Sequence, residues 1–220
     1  MIVLGLTGSI GMGKSVAAAM LRRLGVPVHD ADAAVHRALG PAGAAIPAIR
    51  RAFPQAIVGA DGRARVDRRK LGALVFGRSD RLRQLEKIVH PLVRQSERAF
   101  LRHCLAHRTA VAVIDVPLLF ETGGERRCTA VVLVSAPEAV QTRRALARPG
   151  MTKERLAAVR AQQMPDGEKR RRADFVVPTG AGKRLTWIHL RRILRAMTTE
   201  AGRARVRHAR NRTRHRNHRA

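Results

Sequence analysis

A glycine-rich segment near the start of the chain has the residue types and spacing of a polyphosphate-binding loop. Residues 8–15 read Gly-Ser-Ile-Gly-Met-Gly-Lys-Ser and fit the pattern G-x-x-x-x-G-K-[ST] without a mismatch. Glycines let the backbone approach phosphate oxygens closely with its N–H groups pointing inward. In this pattern the Lys14 ammonium reaches the terminal phosphates and the Ser15 hydroxyl binds Mg²⁺. The segment therefore predicts a site for a triphosphate with Mg²⁺, and the alternative is a glycine-rich turn that binds nothing.

The sequence on either side of the loop favours the phosphate site. Residues 2–6 are a continuous apolar run, typical of a parallel strand buried on both faces, and residues 16–24 have helical propensity and end before Gly25. A helix that begins at the loop adds the positive end of its dipole to an anion site. The glycine spacing does not fit the dinucleotide pattern G-x-G-x-x-G. A guanine-reading Asn-Lys-x-Asp motif is excluded because the only asparagines are Asn211 and Asn217.

Two carboxylates follow the second predicted strand, residues 26–29. Asp30 and Asp32 come directly after it, and we expect this strand to lie beside the strand of residues 2–6. Because open α/β sheets bind ligands at the carboxyl ends of their strands, both carboxylates are expected to face the terminal phosphate. One would accept the proton of an attacking hydroxyl, and the other would hold Mg²⁺ through water. Alternatively, an aspartate here caps the helix that starts near Ala33.

Further along the chain, Asp115 and Glu121 are candidate site residues. Asp115 ends the third predicted strand, residues 110–114, where a carboxylate linked to Mg²⁺ is expected; a turn or capping role is the alternative. Glu121 is expected to cap a helix or form a salt bridge, with a role in the acceptor site as the alternative.

The elements that must position these residues alternate between strands and helices. Further strands are predicted at 130–134 and 175–177, and a last helix near 183–198. This alternation predicts an α/β fold of three layers with a five-stranded parallel sheet. Residues 33–106 are mostly helical in pattern and are expected as an insertion over the top edge of the sheet. Breaks are predicted in that stretch at Gly40-Pro41, Asp61-Gly62 and His90-Pro91.

In this order and at these intervals, the motifs of the chain resemble the dephospho-CoA kinase family over residues 2 to about 198. The segments that carry the resemblance are 6–15, 30–32, Asp67-Arg68 with Leu71 and Val75-Phe76, 85–91, 115–121, 141–144, Gln163, and Ala173-Asp174. The chain departs from the family pattern at Pro178-Thr179-Gly180, where many members carry Asp or Asn.

The resemblance implies a P-loop kinase fold and transfer of the γ-phosphoryl group of ATP to the ribose 3′-hydroxyl of dephospho-CoA, with Mg²⁺, giving CoA and ADP. It implies a core of residues 1–32 and 108–200, an acceptor-binding insertion at about 33–107, and a lid at about 144–160. The implied catalytic residues are Asp32 as the base that meets the 3′-hydroxyl, Lys14 and Arg144. The implied ATP-binding residues are Gly8, Gly11, Met12, Gly13, Lys14, Ser15, Val16 and Arg148. The implied acceptor-binding residues are Asp30, Arg68, His90 and Pro117, and the metal ligands are Ser15 and Asp115.

Arg143, Arg144 and Arg148 lie on and just after a predicted helix that would sit over the nucleotide. The guanidinium fork suits phosphate geometry, which favours a lid that closes on the phosphates. A solvated, charged helix face is the alternative.

The net charge of +28 suggests contact with a polyanion but identifies none. Residues 203–220 contain eight arginines, three histidines and no acidic residue, so residues 201–220 are predicted to be a disordered basic tail with weak, non-specific nucleic-acid contact. Without those eight arginines the chain still carries +20. The apolar N-terminus without a basic leader and the two isolated cysteines predict a cytoplasmic protein with no membrane partner, and a monomer is favoured.

Two other functions remain open at this point. The first is another P-loop kinase acting on a small molecule or a nucleoside monophosphate. The second is a basic nucleic-acid-binding protein, against which the near absence of aromatic residues counts, since the chain has no Tyr and one Trp.

Overall fold

The computed structural model describes residues 1–59, 63–199 and residue 204. The chain divides into two compact units, one formed by Met1–His29 with Cys104–Ala220 and the other by Asp30–His103. In chain order the strands are β1 Ile2–Thr7, β2 Val28–Asp30, β3 Ile57–Val58, β4 Arg65–Val66, β5 Val111–Asp115, β6 Ala130–Ser135 and β7 Phe175–Pro178. The α-helices are α1 Lys14–Arg23, α2 Ala31–Leu39, α3 Ile46–Ala52, α4 Arg68–Val75, α5 Ser79–Ala106, α6 Glu138–Leu146, α7 Lys153–Ala161, α8 Asp166–Arg172 and α9 Lys183–Thr198.

Five strands form one parallel sheet in the order β2-β5-β1-β6-β7. β1 lies at the centre, where it pairs in parallel with β5 and β6, and β7 pairs with β6. Parallel neighbours need long crossover connections, and the helices between the strands supply them. In this register Leu6 lies opposite Asp115, so the end of β5 adjoins the end of β1. The α/β fold with a five-stranded parallel sheet is confirmed.

The position predicted for β2 is wrong, because β5 lies between β2 and β1. The Val113 N–H donates to the Pro27 carbonyl oxygen over 2.9 Å, on the side of β5 that faces away from β1. All five residues of β5 are buried, as an interior position requires. β2 has three residues and follows a proline that cannot donate to a ladder, which suits the edge of a sheet. The carboxylate on the strand next to β1 is therefore Asp115.

Aliphatic side chains fill the core of the unit that contains the sheet. Every residue of β5 and β6 is buried, and α1 and α9 pack against each other beside the sheet. Their buried apolar residues are Ala17, Ala18, Met20 and Leu21 from α1 and Leu190, Ile193 and Met197 from α9. Small residues on α1 allow close approach of its backbone to the strands. This packing fixes where the loop between β1 and α1 leaves the sheet.

The unit Asp30–His103 has its own apolar core. Ile46, Ile49, Phe53 and Leu71 are buried in it, together with residues of α2 and α5. A two-stranded antiparallel hairpin of β3 and β4, with Ile57 opposite Val66, belongs to this unit. The sequence pattern predicts mostly helix here and does not reveal this hairpin.

The break predicted at His90-Pro91 is wrong, since α5 runs from Ser79 to Ala106 with Pro91 inside it. Proline removes one hydrogen bond from the helix interior, here the bond to the Lys87 carbonyl oxygen. Val89 is buried on the apolar face of α5, so packing holds the helix together across this defect. The break at Gly40-Pro41 is confirmed because α2 ends at Leu39.

Two predictions lie outside the described residues. The first is the turn at Asp61-Gly62, and the second is the basic tail at 201–220, of which only residue 204 is described. Within the part of the chain that the structure describes, no helix is both long enough and apolar enough to cross a membrane.

Candidate active site

The loop between β1 and α1 has a backbone that only glycine adopts without strain. Gly11 and Gly13 have φ angles of 76° and 87°, in the left-handed region. A Cβ atom on Gly11 would lie 2.6 Å from the Gln141 carbonyl oxygen, and one on Gly8 would lie 2.4 Å from Val134 Cγ2. The loop is thus pressed against α6 and β6, and the predicted glycines are required by this geometry.

Side chains from distant parts of the chain hold the peptide groups of the loop. Gln163 Oε1 accepts from the Ile10 N–H at 3.1 Å, and Gln141 Nε2 donates to the Ile10 carbonyl oxygen at 2.9 Å. Thr179 Oγ1 donates to the Met12 carbonyl oxygen at 2.7 Å. Contacts within the chain therefore hold both faces of the Ile10 peptide region and the Met12 carbonyl group.

Lys14 and Asp115 form an ion pair at the start of α1. Lys14 Nζ lies 2.8 Å from Asp115 Oδ1, and the two side chains are 15% and 3% exposed. Ser15 is exposed in the first turn of α1, which carries no acidic residue. An ammonium group at an open helix N-terminus makes a favourable place for an anion. The predicted residues Lys14, Ser15 and Asp115 lie together.

Arg144, on the last turn of α6, contacts the segment after β7. Its Nη1 and Nη2 atoms donate to Thr179 Oγ1 at 3.2 Å and to the Thr179 carbonyl oxygen at 2.9 Å. Thr179 in turn contacts the loop, so Arg144 is one residue removed from it. Arg148 lies in the exposed turn that follows α6.

A pocket of about 360 Å³ lies beside the loop. Its lining includes Ser9, Met12, Gln141, Arg160, Gln163 and Asp166. Arg160 of α7 donates through Nη2 to Gln141 Oε1 at 2.7 Å and to Thr142 Oγ1 at 2.8 Å. Its Nη1 lies 3.1 Å from Glu138 Oε1. This guanidinium joins α7 to α6 directly behind the side chain that contacts Ile10.

Glu121 forms a salt bridge, one of the roles predicted for it. Its Oε1 atom lies 2.8 Å from Lys169 Nζ and accepts from the Met164 N–H at 2.9 Å. The Lys169 side chain is fully buried and that of Glu121 is 16% exposed. The pair fastens α8 and the turn before it to the segment that follows β5.

Asp30 and Asp32 have different environments within their unit. Asp30 Oδ1 accepts from the Ala33 N–H at 2.9 Å and caps α2, which confirms the capping alternative for this residue. Asp32 lies exposed in the first turn of α2. The predicted acceptor residue Pro117 belongs to the other unit, where its carbonyl oxygen accepts from Thr7 Oγ1 at 3.0 Å.

Arg68 and His90 are exposed residues of the same unit as Asp32. Arg68 Nη1 lies 3.1 Å from His36 Nδ1. His36 follows Asp32 by four residues in α2, so the two share a helix face. Beside Arg68, the backbone N–H groups of Lys70 and Arg69 lower the pKa of Asp67, which caps α4.

Five residues that make these contacts carry no role in the sequence-based prediction: Gln141, Gln163, Thr179, His36 and Arg160. A signal was available for His36, because residues four apart on a helix share a face. Gln141, Gln163 and Thr179 act on partners more than a hundred positions away, which local patterns do not reveal. Arg160 acts through Gln141 and is found only once that contact is known.

The candidate metal ligands are hard oxygen donors. Mg²⁺ commonly takes one or two protein oxygens together with phosphate oxygens and water, and Ser15 with Asp115 fits that chemistry. Across residues 1–59, 63–199 and 204, no group of three or more His, Cys, Asp or Glu side chains forms a metal cage. The donor set suits an ion that arrives with a phosphate ligand.

Comparison with known proteins gives a consistent result. The family model CoaE, described as dephospho-CoA kinase, matches residues 2–183. The dephospho-CoA kinase of Rhodospirillum rubrum is 57% identical over 183 residues, covering 83% of this chain and 85% of that protein. The dephospho-CoA kinase of Paramagnetospirillum magneticum is 61% identical over 170 residues, covering 77% of this chain and 78% of that protein.

Solved structures share the fold. The crystal structure of TT1252 from Thermus thermophilus has a TM-score of 0.77 and 38% identity, covering 90% of this chain and 98% of that one. The dephospho-CoA kinase from Campylobacter jejuni has a TM-score of 0.62 at 20% identity, covering 89% of this chain and 96% of that one. At 20% identity, the match to the Campylobacter jejuni protein is evidence for the fold alone.

Proposed function

The chain belongs to the dephospho-CoA kinase family, and from this premise we propose how its residues divide the work of the reaction. The enzyme phosphorylates the ribose 3′-hydroxyl of dephospho-CoA and gives CoA and ADP. The 3′-oxygen attacks the γ-phosphorus of ATP, the bond from that phosphorus to the β,γ-bridging oxygen breaks, and the hydroxyl proton leaves to a base. The single observation that carries this assignment is the match to the family model over residues 2–183.

Family membership also decides between the alternatives. A P-loop kinase for another small molecule and a basic nucleic-acid-binding protein both remained open from the sequence. The two relatives, 57% and 61% identical, are dephospho-CoA kinases, and neither alternative is favoured.

We propose that the loop from Gly8 to Ser15, which includes Met12, binds the phosphates of ATP together with Val16. Supporting this are the left-handed glycines and the open N-terminus of α1. Lys14 would exchange part of its contact with Asp115 for the β- and γ-phosphates. Bound Mg²⁺, held by Ser15 and Asp115, would neutralise charge that develops on the phosphates.

Asp32 is the proposed base for the 3′-hydroxyl. Asp30 is engaged in capping α2, whereas the Asp32 carboxylate is exposed one turn before His36. Asp30 ends β2 and Asp32 lies two residues beyond it, and ligands of open α/β sheets bind at the carboxyl ends of their strands. An ionised carboxylate there would accept the proton or orient the hydroxyl, because phosphoryl transfer depends chiefly on positioning.

The proposed acceptor-binding residues are Asp30, Arg68, His90 and Pro117. Arg68 has an exposed guanidinium on the same unit as Asp32, and dephospho-CoA carries phosphates that such a cation binds well. The insertion at about 33–107, which largely corresponds to the compact unit Asp30–His103, would receive this substrate.

Residues at about 144–160 are the proposed lid, with Arg144 and Arg148 closing on the phosphates. The exposed turn after α6, which contains Gly150 with a φ of 74°, would allow such a movement. Closure after the acceptor binds would protect ATP from hydrolysis by water.

We further propose that the protein is a cytoplasmic monomer. Both cysteines are free thiols, as is usual in a reducing compartment. Light scattering on the purified chain measures the oligomeric state, and a stable dimer would contradict this part of the proposal.

The test is an assay of ADP and CoA formation from ATP, Mg²⁺ and dephospho-CoA. Asp32→Asn is expected to lower kcat by at least about 10²-fold while ATP affinity stays within about threefold, since a general base contributes factors of that order. Asp80→Asn, at an exposed first-turn aspartate of α5, is the matched control. Full turnover by Asp32→Asn would remove Asp32 from its role, and wild-type protein without turnover of dephospho-CoA would reject the proposed function.

A further inference from the structure

Two peptide units of the phosphate loop are held from behind by single side chains. Gln141 Nε2 donates to the Ile10 carbonyl oxygen at 2.9 Å, and Thr179 Oγ1 donates to the Met12 carbonyl oxygen at 2.7 Å. Gln141 is 6% exposed and Thr179 is also 6% exposed. Both donors are therefore shielded from water, which would otherwise compete for these carbonyl groups.

The geometry of the peptide bond gives these contacts a consequence for the opposite face of the loop. In a planar trans peptide, a carbonyl group and the N–H of the next residue point in opposite directions. Holding the Ile10 carbonyl toward α6 turns the Gly11 N–H away from α6. Holding the Met12 carbonyl toward the segment after β7 turns the Gly13 N–H away from that segment.

We propose that Gln141 and Thr179 are positioning residues that aim the Gly11 and Gly13 N–H groups at the phosphates of the nucleotide. Both glycines have positive φ angles and lack a Cβ, so in the absence of these anchors their peptide units would rotate easily. Gln141 and Thr179, the two anchors of the loop, remove that freedom before the nucleotide binds. Less conformational entropy is therefore lost on binding. The inference rests on the proposed binding of ATP at this loop.

Each anchor is braced by an arginine. Arg160 Nη2 donates to Gln141 Oε1 at 2.7 Å, which leaves the amide nitrogen of Gln141 to face Ile10. Arg144 Nη1 donates to Thr179 Oγ1 at 3.2 Å, so the hydroxyl proton of Thr179 is directed to another acceptor. Two carbonyl oxygens lie within reach of that proton, those of Met12 at 2.7 Å and Ser135 at 3.3 Å, and the shorter contact is to Met12. Each arginine thus occupies the acceptor atom of its partner and leaves the donor to face the loop.

A pair of isosteric substitutions tests the first anchor. Gln141→Glu keeps an acceptor for Arg160 but removes the donor to the Ile10 carbonyl, so the α6–α7 contact survives while the peptide is released. We expect ADP affinity, measured by titration calorimetry on the full chain, to fall about tenfold. Gln163→Glu is the matched control. It places the same negative charge beside the Ile10 peptide group but keeps the oxygen that accepts from the Ile10 N–H. Its loss of ADP affinity should be several-fold smaller.

The second anchor is tested in the same way. Thr179→Val keeps the shape but removes the hydroxyl, and we expect about a fivefold loss of ADP affinity. Thr179→Ser restores the hydroxyl and should recover most of that loss, which a role in packing alone would not explain. In the assay with dephospho-CoA, KM for ATP should rise in Gln141→Glu and Thr179→Val, with KM for dephospho-CoA changed less than twofold.

The outcomes separate this inference from the proposed function. Wild-type protein that binds no ADP would reject the nucleotide site and the anchors together. Wild-type protein that binds ADP, with equal affinity in Gln141→Glu and Thr179→Val, would overturn the anchors alone. If Gln141→Glu fails to fold, the Thr179 pair still decides, and equal ADP affinity of Thr179→Val and wild type would overturn the proposal.

Discussion

Lys14 and Asp115 show how a single ion pair prepares a site for two different partners. The ammonium and the carboxylate contact each other at 2.8 Å, and the carboxylate is 3% exposed. Each group would otherwise be a costly, poorly solvated charge. The pair keeps both near the loop, where the cation suits a phosphate and the carboxylate suits Mg²⁺.

Breaking this pair from one side should destabilise the protein. Lys14→Met removes this cation from a buried carboxylate, and we expect a loss of about 3 kcal/mol in the free energy of unfolding. The double variant Lys14→Met with Asp115→Asn should recover most of this loss, because the buried negative charge is then absent as well. Urea unfolding of wild type, both single variants and the double variant measures the coupling. Additive losses would show that the two side chains do not interact.

At this scale the sequence was sufficient to identify the residues of the loop that lie together, because they are neighbours along the chain. The glycines, Lys14 and Ser15 form one continuous motif, and Asp115 follows an obvious strand. Gln141 and Thr179 could not be found in the same way, since their partners in the loop lie 131 and 167 positions away. Only the packing of α6 and of the segment after β7 against the loop brings them there.

Among the elements, α5 carries a defect that its length and packing tolerate. Pro91 lies inside a helix of 28 residues and removes one of its hydrogen bonds. Its local pattern predicts a helix end, whereas burial of Val89 and neighbouring side chains keeps the helix continuous. This is a case in which tertiary packing overrides local propensity.

Replacing this proline should stabilise the unit Asp30–His103. Pro91→Ala allows the missing hydrogen bond to form, and we expect a gain of about 1–2 kcal/mol, below the full helix-interior penalty because proline also restricts the unfolded chain. Pro47→Ala is the matched control, because Pro47 lies in the first turn of α3, where a missing N–H costs little. Thermal unfolding of both variants gives the comparison. A lower melting temperature for Pro91→Ala would contradict this account of α5.

The strand order was the main feature of the elements that the sequence did not predict. The positions of the five sheet strands follow from apolar runs and turn residues, but nothing local determines that β5 pairs between β2 and β1. β3 and β4 have two residues each, which is too few to show the alternation of apolar and polar residues by which a strand is predicted.

Across the whole molecule, positive charge greatly exceeds negative charge. The chain has 44 Lys and Arg residues and 16 Asp and Glu residues, so cations outnumber carboxylates by 28. Such a surface attracts polyanions without recognising any sequence. We propose that the arginines after Gly202 add to this attraction and take no part in phosphoryl transfer.

Truncation after Gly202 tests the tail. Removal of its eight arginines should reduce retention on RNA at low salt and flatten the salt dependence of binding, with kinase activity unchanged. A variant with all eight arginines replaced by lysine keeps the charge and should bind as wild type does. Unchanged retention after truncation would reject a role for the tail.

Both cysteines of the chain, Cys104 and Cys128, are buried, and desolvation raises the pKa of the Cys104 thiol. A protonated, inaccessible sulfur reacts poorly with disulfides. The product of this enzyme is itself a thiol, and the disulfide of such a thiol exchanges with accessible protein thiolates. Because the fold presents no surface cysteine, the enzyme offers its own product no sulfur with which to form a mixed disulfide.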